Sequence, residues 1–305
     1  MRRSVLLATL LMLILSGCGS SADPSDSTST PSTPSKIRIV TTTPVLTDFA
    51  SIVGSELVEV YGLVKAGVDP HDYEPNPADI TAIARANLII RNGLGLETWL
   101  DDTIDSAESR AVQIEASEGV VLRKKLDGEV DPHIWHNPLN AKIMVNNIRR
   151  GLERVDPTNS SVYAATEGAY AAQLDALDRD IRSSLSRLTN RKVVTNHDSL
   201  GYYIDAYRLE FVGSVIPSFD TQAELSSAQI SSLVAKVKAE KVPAIFAESS
   251  LPPAAAETIA KEAGVKVITG AKALYGDSLG RSGSSTSTYL EMERHNTSVL
   301  VNNLG

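Results

Sequence analysis

The sequence of 305 residues carries a single cysteine, five histidines and only 5% aromatic residues. One thiol can build neither an internal disulfide framework nor a multi-thiolate zinc site, which leaves imidazole and carboxylate as the metal ligands on offer. Positive charge is not in excess: 29 basic side chains stand against 37 acidic ones, a formal net charge of −8. The basic residues do not cluster either. No nucleic-acid partner is expected, because phosphate binding rests on neutralisation by Lys and Arg. No apolar run reaches the roughly 18 residues of a membrane-spanning helix. What is present, 42% hydrophobic and 22% charged residues, suffices for one large core or two modest ones and excludes a disordered or collagenous chain.

Arg2 and Arg3 precede the longest apolar stretch, residues 5–15, interrupted only by Thr9. Eleven residues rise about 16 Å as a helix, roughly half a bilayer core, which fits a secretory signal and not an anchor. The stretch ends Leu15-Ser16-Gly17-Cys18, which resembles the bacterial lipobox, where the cysteine receives a diacylglycerol and becomes the new N-terminus. Residues 1–17 are therefore expected to be a lipoprotein signal peptide, Cys18 the lipidation site and residues 18–35 a tether. Thirteen of the seventeen residues 19–35 are Ser, Thr or Pro, too little apolar surface to offset ordering. Cleavage would leave 27 basic against 37 acidic side chains, a net −10. Such a body is repelled by anionic lipid, so the acyl chains must hold it at the membrane.

From residue 36 onward short β-branched runs alternate with helical patterns. Runs at 37–43, 58–64, 88–91 and 112–115 are separated by helices at 47–52, 77–86 and 96–106. The pattern resumes with runs at 193–196, 209–215, 244–247 and 265–269 and helices at 200–207, 226–240 and 253–263. This alternation predicts an α/β protein of two lobes, residues 36–156 and 190–305, each with a mostly parallel four-stranded sheet flanked by helices. Between them Asp156-Pro157 has the form of an N-cap followed by a proline at the first helical position. Leu174, Leu177, Ile181, Leu185 and Leu188 recur at three- and four-residue steps. One long rigid helix over 157–189 is expected to join the lobes, about 45 Å long and able to rock only slightly.

Three histidines fall in loops after predicted strands, where open α/β sheets bind their ligands. His71 sits in Pro70-His71-Asp72-Tyr73-Glu74-Pro75 and His133 in Asp131-Pro132-His133-Ile134-Trp135-His136-Asn137-Pro138. His197 directly follows the run 193–196, and Asp277 lies in Tyr275-Gly276-Asp277-Ser278-Leu279, after the run 265–269. Their separations of 62, 64 and 80 residues match no local metal motif. Spacing alone leaves each histidine open between a metal ligand and a loop residue bonded to backbone.

Taken in order with the tether and the long helix, several segments carry a resemblance. They are 70–75, Asn92-Gly93-Leu94-Gly95-Leu96-Glu97-Thr98-Trp99-Leu100, 131–138, 196–203 and 275–279, with the weaker Phe246-Ala247-Glu248 and Tyr289-Leu290-Glu291-Met292. They are similar to the metal-binding lipoproteins of bacterial zinc and manganese ABC importers, the cluster A-I solute-binding proteins, from about residue 36 to the C-terminus. The resemblance implies metal ligands at His71, His133, His197 and Asp277, and partners in an ABC permease and its ATPase. It implies an extracytoplasmic, lipid-anchored protein, and a monomer is expected.

Three imidazoles and one carboxylate form the four-ligand set of closed zinc sites, which hold an ion without activating water, so no enzyme activity is expected. The third imidazole favours Zn²⁺ over Mn²⁺, since some manganese and iron members of the family have a glutamate at the position of His197. Against this, Arg123-Lys124-Lys125-Leu126-Asp127-Gly128-Glu129 lacks the histidines that several zinc members insert there. Glu74, Asp198 and Glu248, and also Asp72, are candidates to orient an imidazole through its second nitrogen. His136 is expected to support a ligand or face solvent, and His295 to be structural. The alternative readings are a manganese-specific binder of the same class, a zinc-dependent surface enzyme, and an adhesin whose metal is incidental.

Overall fold

The first four β-branched runs become the parallel strands β1 (Ile37–Thr41), β2 (Val58–Gly62), β3 (Leu88–Arg91) and β4 (Val112–Glu115), ordered β2-β1-β3-β4. The second half repeats the plan with β5 (Lys192–His197), β6 (Glu210–Ile216), β7 (Ala244–Phe246) and β8 (Lys266–Ile268), ordered β6-β5-β7-β8. This is a computed structural model, and it describes residues 35–126 and 128–305. Every strand pairing named here is parallel. Each sheet therefore has a switch point beside its first strand, where the loops leaving the carboxyl ends diverge and leave room for a ligand. Leu88, Ile89 and Ile90 are consecutive and wholly buried, as expected of a central strand covered on both faces by helices.

Helix α1 (Pro44–Gly54) starts where the Thr43 side chain accepts the Leu46 N–H and Pro44 takes a first-turn position that needs no donor. Asn76 and Asp79 close a reciprocal capping box on α2 (Pro77–Arg85). The short α3 (Leu100–Ser106) follows β3. Helix α4 (Pro138–Val155) is not among the sequence-based expectations. Its signals are an Asn137-Pro138 start and buried Ala141, Met144, Val145, Ile148 and Leu152 at helical steps, diluted by Lys142, Asn146, Arg149 and Arg150.

The long helix expected over 157–189 is α5 (Ser160–Leu185), 26 residues and about 39 Å. It is preceded by a 3-10 turn, Pro157–Asn159. Asp156 does not cap α5 itself, because its Oδ2 is taken by Asn159 Nδ2 at 2.7 Å and the Tyr163 hydroxyl at 2.6 Å. At the other end Arg191 Nη1 donates to the Leu185 carbonyl at 2.9 Å, closing the last turn before Leu188. The second half adds α6 (Gly201–Tyr207), α7 (Ser227–Glu240), α8 (Ala254–Ala263) and α9 (Tyr289–Leu304).

Tyr163, Tyr170, Leu174, Leu177, Ile181 and Leu185 form the buried stripe of α5. They belong to one apolar cluster that also takes in Phe49 of α1, Ile148 of α4, Tyr203 of α6 and Leu300 of α9. The core thus passes without a break from one half to the other, and Lys36–Gly305 is a single compact body. Leu177→Ala, in the middle of this stripe, is expected to cost about 2–5 kcal/mol. Urea unfolding followed by circular dichroism and by tryptophan fluorescence should give one coincident transition, since the halves share their core.

Candidate metal centre

Four chain segments that follow strands meet at one point. His71 lies between β2 and α2, His133 between β4 and α4, His197 ends β5, and Asp277 lies between β8 and α9. Their donor atoms all fall within 4.8 Å of one another. His133 Nε2 is 3.3 Å from the Nε2 of both His71 and His197. Asp277 Oδ1 is 3.3 Å from His133 Nε2, while its Oδ2 is 3.6 Å from His71 Nε2 and 3.2 Å from His197 Nε2. Donors about 2.0–2.1 Å from a tetrahedral centre stand about 3.3–3.4 Å apart, so this arrangement can bound one ion of zinc size. His133, His197 and Asp277 are fully buried, and the His71 side chain is 7% exposed.

Local sequence presets much of this geometry. Asp69-Pro70-His71 and Asp131-Pro132-His133 are the same tripeptide. In each, aspartate Oδ1 accepts the histidine backbone N–H, at 2.9 and 3.0 Å, closing an Asx turn. Asp131 Oδ1 also accepts from His133 Nδ1 at 2.8 Å. Glu248, just beyond β7, repeats the device across the fold: its Oε1 accepts His197 N at 3.0 Å and His197 Nδ1 at 2.8 Å. A carboxylate on Nδ1 keeps the ring proton there and leaves the Nε2 lone pair facing the centre.

Asp277 is positioned through its neighbour. The Gly276 carbonyl accepts from Trp135 Nε1 at 3.1 Å and from His136 Nε2 at 2.9 Å. His136 is held in turn by Glu293 Oε1, 2.8 Å from its Nδ1. A side chain at position 276 would collide with Glu248.

Burial drives the His71 pKa down to about 4, against the pull of Asp277. In His133 and His197 burial acts the same way, but carboxylates outweigh it. Asp277 and Asp131 leave His133 raised to about 9, and Glu248 and Asp277 hold His197 well above its ordinary value. Burial would raise Asp277, yet His197 and His133 keep it well below the usual carboxylate range. Neither Asp277 oxygen has a hydrogen-bond donor at bonding geometry. A buried carboxylate without hydrogen bonds is strongly unfavourable unless positive charge adjoins it. The centre thus calls for cations, whether protons on the imidazoles or an ion among them.

Of the residues singled out to orient an imidazole, Glu248 bonds to His197. Asp198 instead lies 3.6 Å from Arg123 Nη1, and Glu74 and Asp72 are exposed. His136 is fully buried and bonded, not exposed, and His295 Nε2 donates to the Ala273 carbonyl at 2.9 Å. Asp131 is the partner that sequence reasoning missed. Its signal was the repeated Asp-Pro-His tripeptide.

The family described as zinc-uptake complex component A periplasmic, ZnuA, matches residues 39–303. The manganese ABC transporter substrate-binding lipoprotein scaA of Streptococcus gordonii is 30% identical over 299 residues, 94% of this chain and 95% of its own. The manganese-binding lipoprotein MntA of Halalkalibacterium halodurans is 30% identical over 298 residues, 97% of this chain and 96% of its own. Among solved structures, the periplasmic zinc binding protein TroA from Treponema pallidum has a TM-score of 0.83 at 29% identity, over 89% of this chain and all of that one.

Asp131→Asn and Glu248→Gln should each weaken metal binding about 10–100-fold, whereas Glu74→Gln should leave it unchanged, as read by competition with a chromogenic chelator. Carboxylates raise the pKa of both His133 and His197, to about 9 for His133, so protons compete with an ion for these imidazoles. Calorimetry at pH 7.5 in buffers of different ionisation enthalpy should report a net release of protons as the ion binds. Affinity should fall as pH falls below about 9, where His133 takes up its proton.

Proposed function

The chain belongs to the ZnuA family, substrate-binding components of metal ABC importers and not enzymes, and from that premise we propose that His71, His133, His197 and Asp277 ligate its cargo, a divalent transition-metal ion. The observation that carries this reading is the Asp277 carboxylate. Both of its oxygens are buried and lack hydrogen-bond donors, and three imidazole Nε2 atoms stand against them. A divalent cation supplies what no hydrogen bond does there, and its protein ligands leave no position to activate water.

Zn²⁺ is the favoured cargo, because three nitrogen donors suit it. Mn²⁺ is the second reading. Oδ1 and Oδ2 of Asp277 both face imidazoles, so the carboxylate can bind through two oxygens and raise the coordination number, and the relatives named for manganese support it.

The protein works outside the cytoplasm, tethered through lipid on Cys18 and docking on a permease driven by an ATPase. The relatives' description as lipoproteins supports the anchor. Cys18 lies outside the described residues, among which no helix is long and apolar enough to cross a membrane. The ion leaves past His71, the one ligand with exposed surface, into a cleft of about 420 Å³ bordered by Leu94, Thr98, Glu129, Phe219 and Asp220. Because the halves share a core, delivery proceeds by small rocking and not by wide opening.

Equilibrium dialysis against Zn²⁺ and Mn²⁺ together should load one ion per chain, with Zn²⁺ displacing Mn²⁺. Single alanine variants of the four ligands should lose more affinity than the roughly 10–100-fold expected for the groups that orient them. Full-strength binding by Asp277→Ala would overturn the assignment, and preferential retention of Mn²⁺ would overturn the choice of metal.

A further inference from the structure

Behind the centre lies a second layer of charge that joins the two halves. Arg123, in the connection between β4 and α4, places Nη1 2.9 Å from Asp131 Oδ2 and 3.6 Å from Asp198 Oδ1, and Nε 3.3 Å from Asp205 Oδ2 in α6. Its backbone N–H donates to the Tyr202 hydroxyl at 2.9 Å, which donates onward to the Asp131 carbonyl at 3.1 Å. Two residues along, Lys125 Nζ sits 3.8 Å over the Phe219 ring. Gly201, at the start of α6, lies so close that any side chain there would run into the guanidinium.

Two of the three carboxylates are joined to the centre. Asp131 holds the Nδ1 of His133, and Asp198 follows His197 in the chain. One guanidinium therefore spans from the group behind a ligand of the first half to the neighbour of a ligand of the second. Asp131 is wholly buried and the Asp198 side chain is 9% exposed, so these contacts are little screened by solvent. The same strap borders the cleft beside His71 through Glu129 and Val130.

We propose that Arg123 is the clasp that keeps the two halves closed around the ion and so sets how slowly it leaves. It is a positioning residue, acting through Asp131 and Asp198. The proposal rests on the metal reading above. Its sign separates it from simple electrostatics. A positive charge behind Asp131 opposes a bound cation, so charge alone predicts that removing Arg123 slows release. A clasp predicts the opposite.

The test loads the full chain with Zn²⁺ and follows release into excess chelator by stopped flow, with amide hydrogen exchange of residues 199–207 read in parallel. Arg123→Gln should speed release by about 10–100-fold, the range of a lost charged hydrogen bond. Arg123→Lys should fall between, because an ammonium lacks the planar fork. Asp205→Asn, which touches neither ligand nor Asp131, should speed release several-fold, and should add nothing in the Arg123→Gln background. Exchange over 199–207 should rise in step. Unchanged or slower release by Arg123→Gln, or full additivity with Asp205→Asn, would overturn the proposal. If Arg123→Gln does not fold, Arg123→Lys and Asp205→Asn decide by the same signs. If the wild-type chain takes up no ion, the metal reading fails by itself. Exchange over 199–207 then decides the clasp, which stands only if Arg123→Gln raises it.

Discussion

A carboxylate buried without hydrogen-bond donors is the constraint on which the site depends. Asp277 cannot be solvated, and it is drawn below its normal pKa only by the imidazoles around it. Removing any of those groups would strand charge in a medium that penalises it by several kcal/mol. The protein therefore holds the loop before Asp277 rigidly. Trp135 and His136 of the first half both donate to the Gly276 carbonyl of the second, and Glu293 of α9 secures His136. The aromatic and charged residues around the centre are mostly groups that fix where that one carboxylate stands.

The two halves solve the same local problem with different means. Each orients a histidine by letting one carboxylate oxygen accept both its backbone N–H and its Nδ1. In the first half the partner is two residues away, Asp131 to His133. In the second, Glu248 reaches His197 from just beyond the neighbouring strand β7, 51 residues along the chain. The strand orders are equal, but the two histidines are not at equivalent positions, since His133 follows β4 and His197 ends β5, the counterpart of β1. His71 has a different character, since burial lowers its pKa and a thin exposed edge opens toward the cleft. Two ligands preorganised by carboxylates and one at the boundary make a site that binds firmly yet has a side from which to unload.

Rigidity and mobility are also divided. The apolar stripe of α5 fuses the halves on one core, where motion would break close packing. Around the centre the halves meet instead through polar contacts such as Arg123 to Asp198 and Thr221 Oγ1 to Asp69 Oδ2, the latter at 2.6 Å. Such contacts can exchange for water at far lower cost than a packed core can open.

Much of the fold was legible in the sequence, whereas spacing left each histidine open and only the family resemblance named His71, His133, His197 and Asp277, which the structure brings together. Strand and helix periods alternate from Ile37 to Ile268, and loops after strands are where such sheets gather ligands. Less legible was α4, whose polar residues dilute its apolar steps, and the start of α5, where Asp156 is diverted to Asn159 and Tyr163. The parallel α/β halves, the long apolar helix and the histidines near strand ends follow from near-neighbour periodicity and backbone preference, and so can be read along the chain. That Asp131 and Glu248 orient imidazoles, that Asp198 serves Arg123 and that His136 braces Gly276 emerges once the chain is folded. Those are contacts between side chains whose partners are chosen by packing, and packing between distant segments leaves no periodic trace along a single chain.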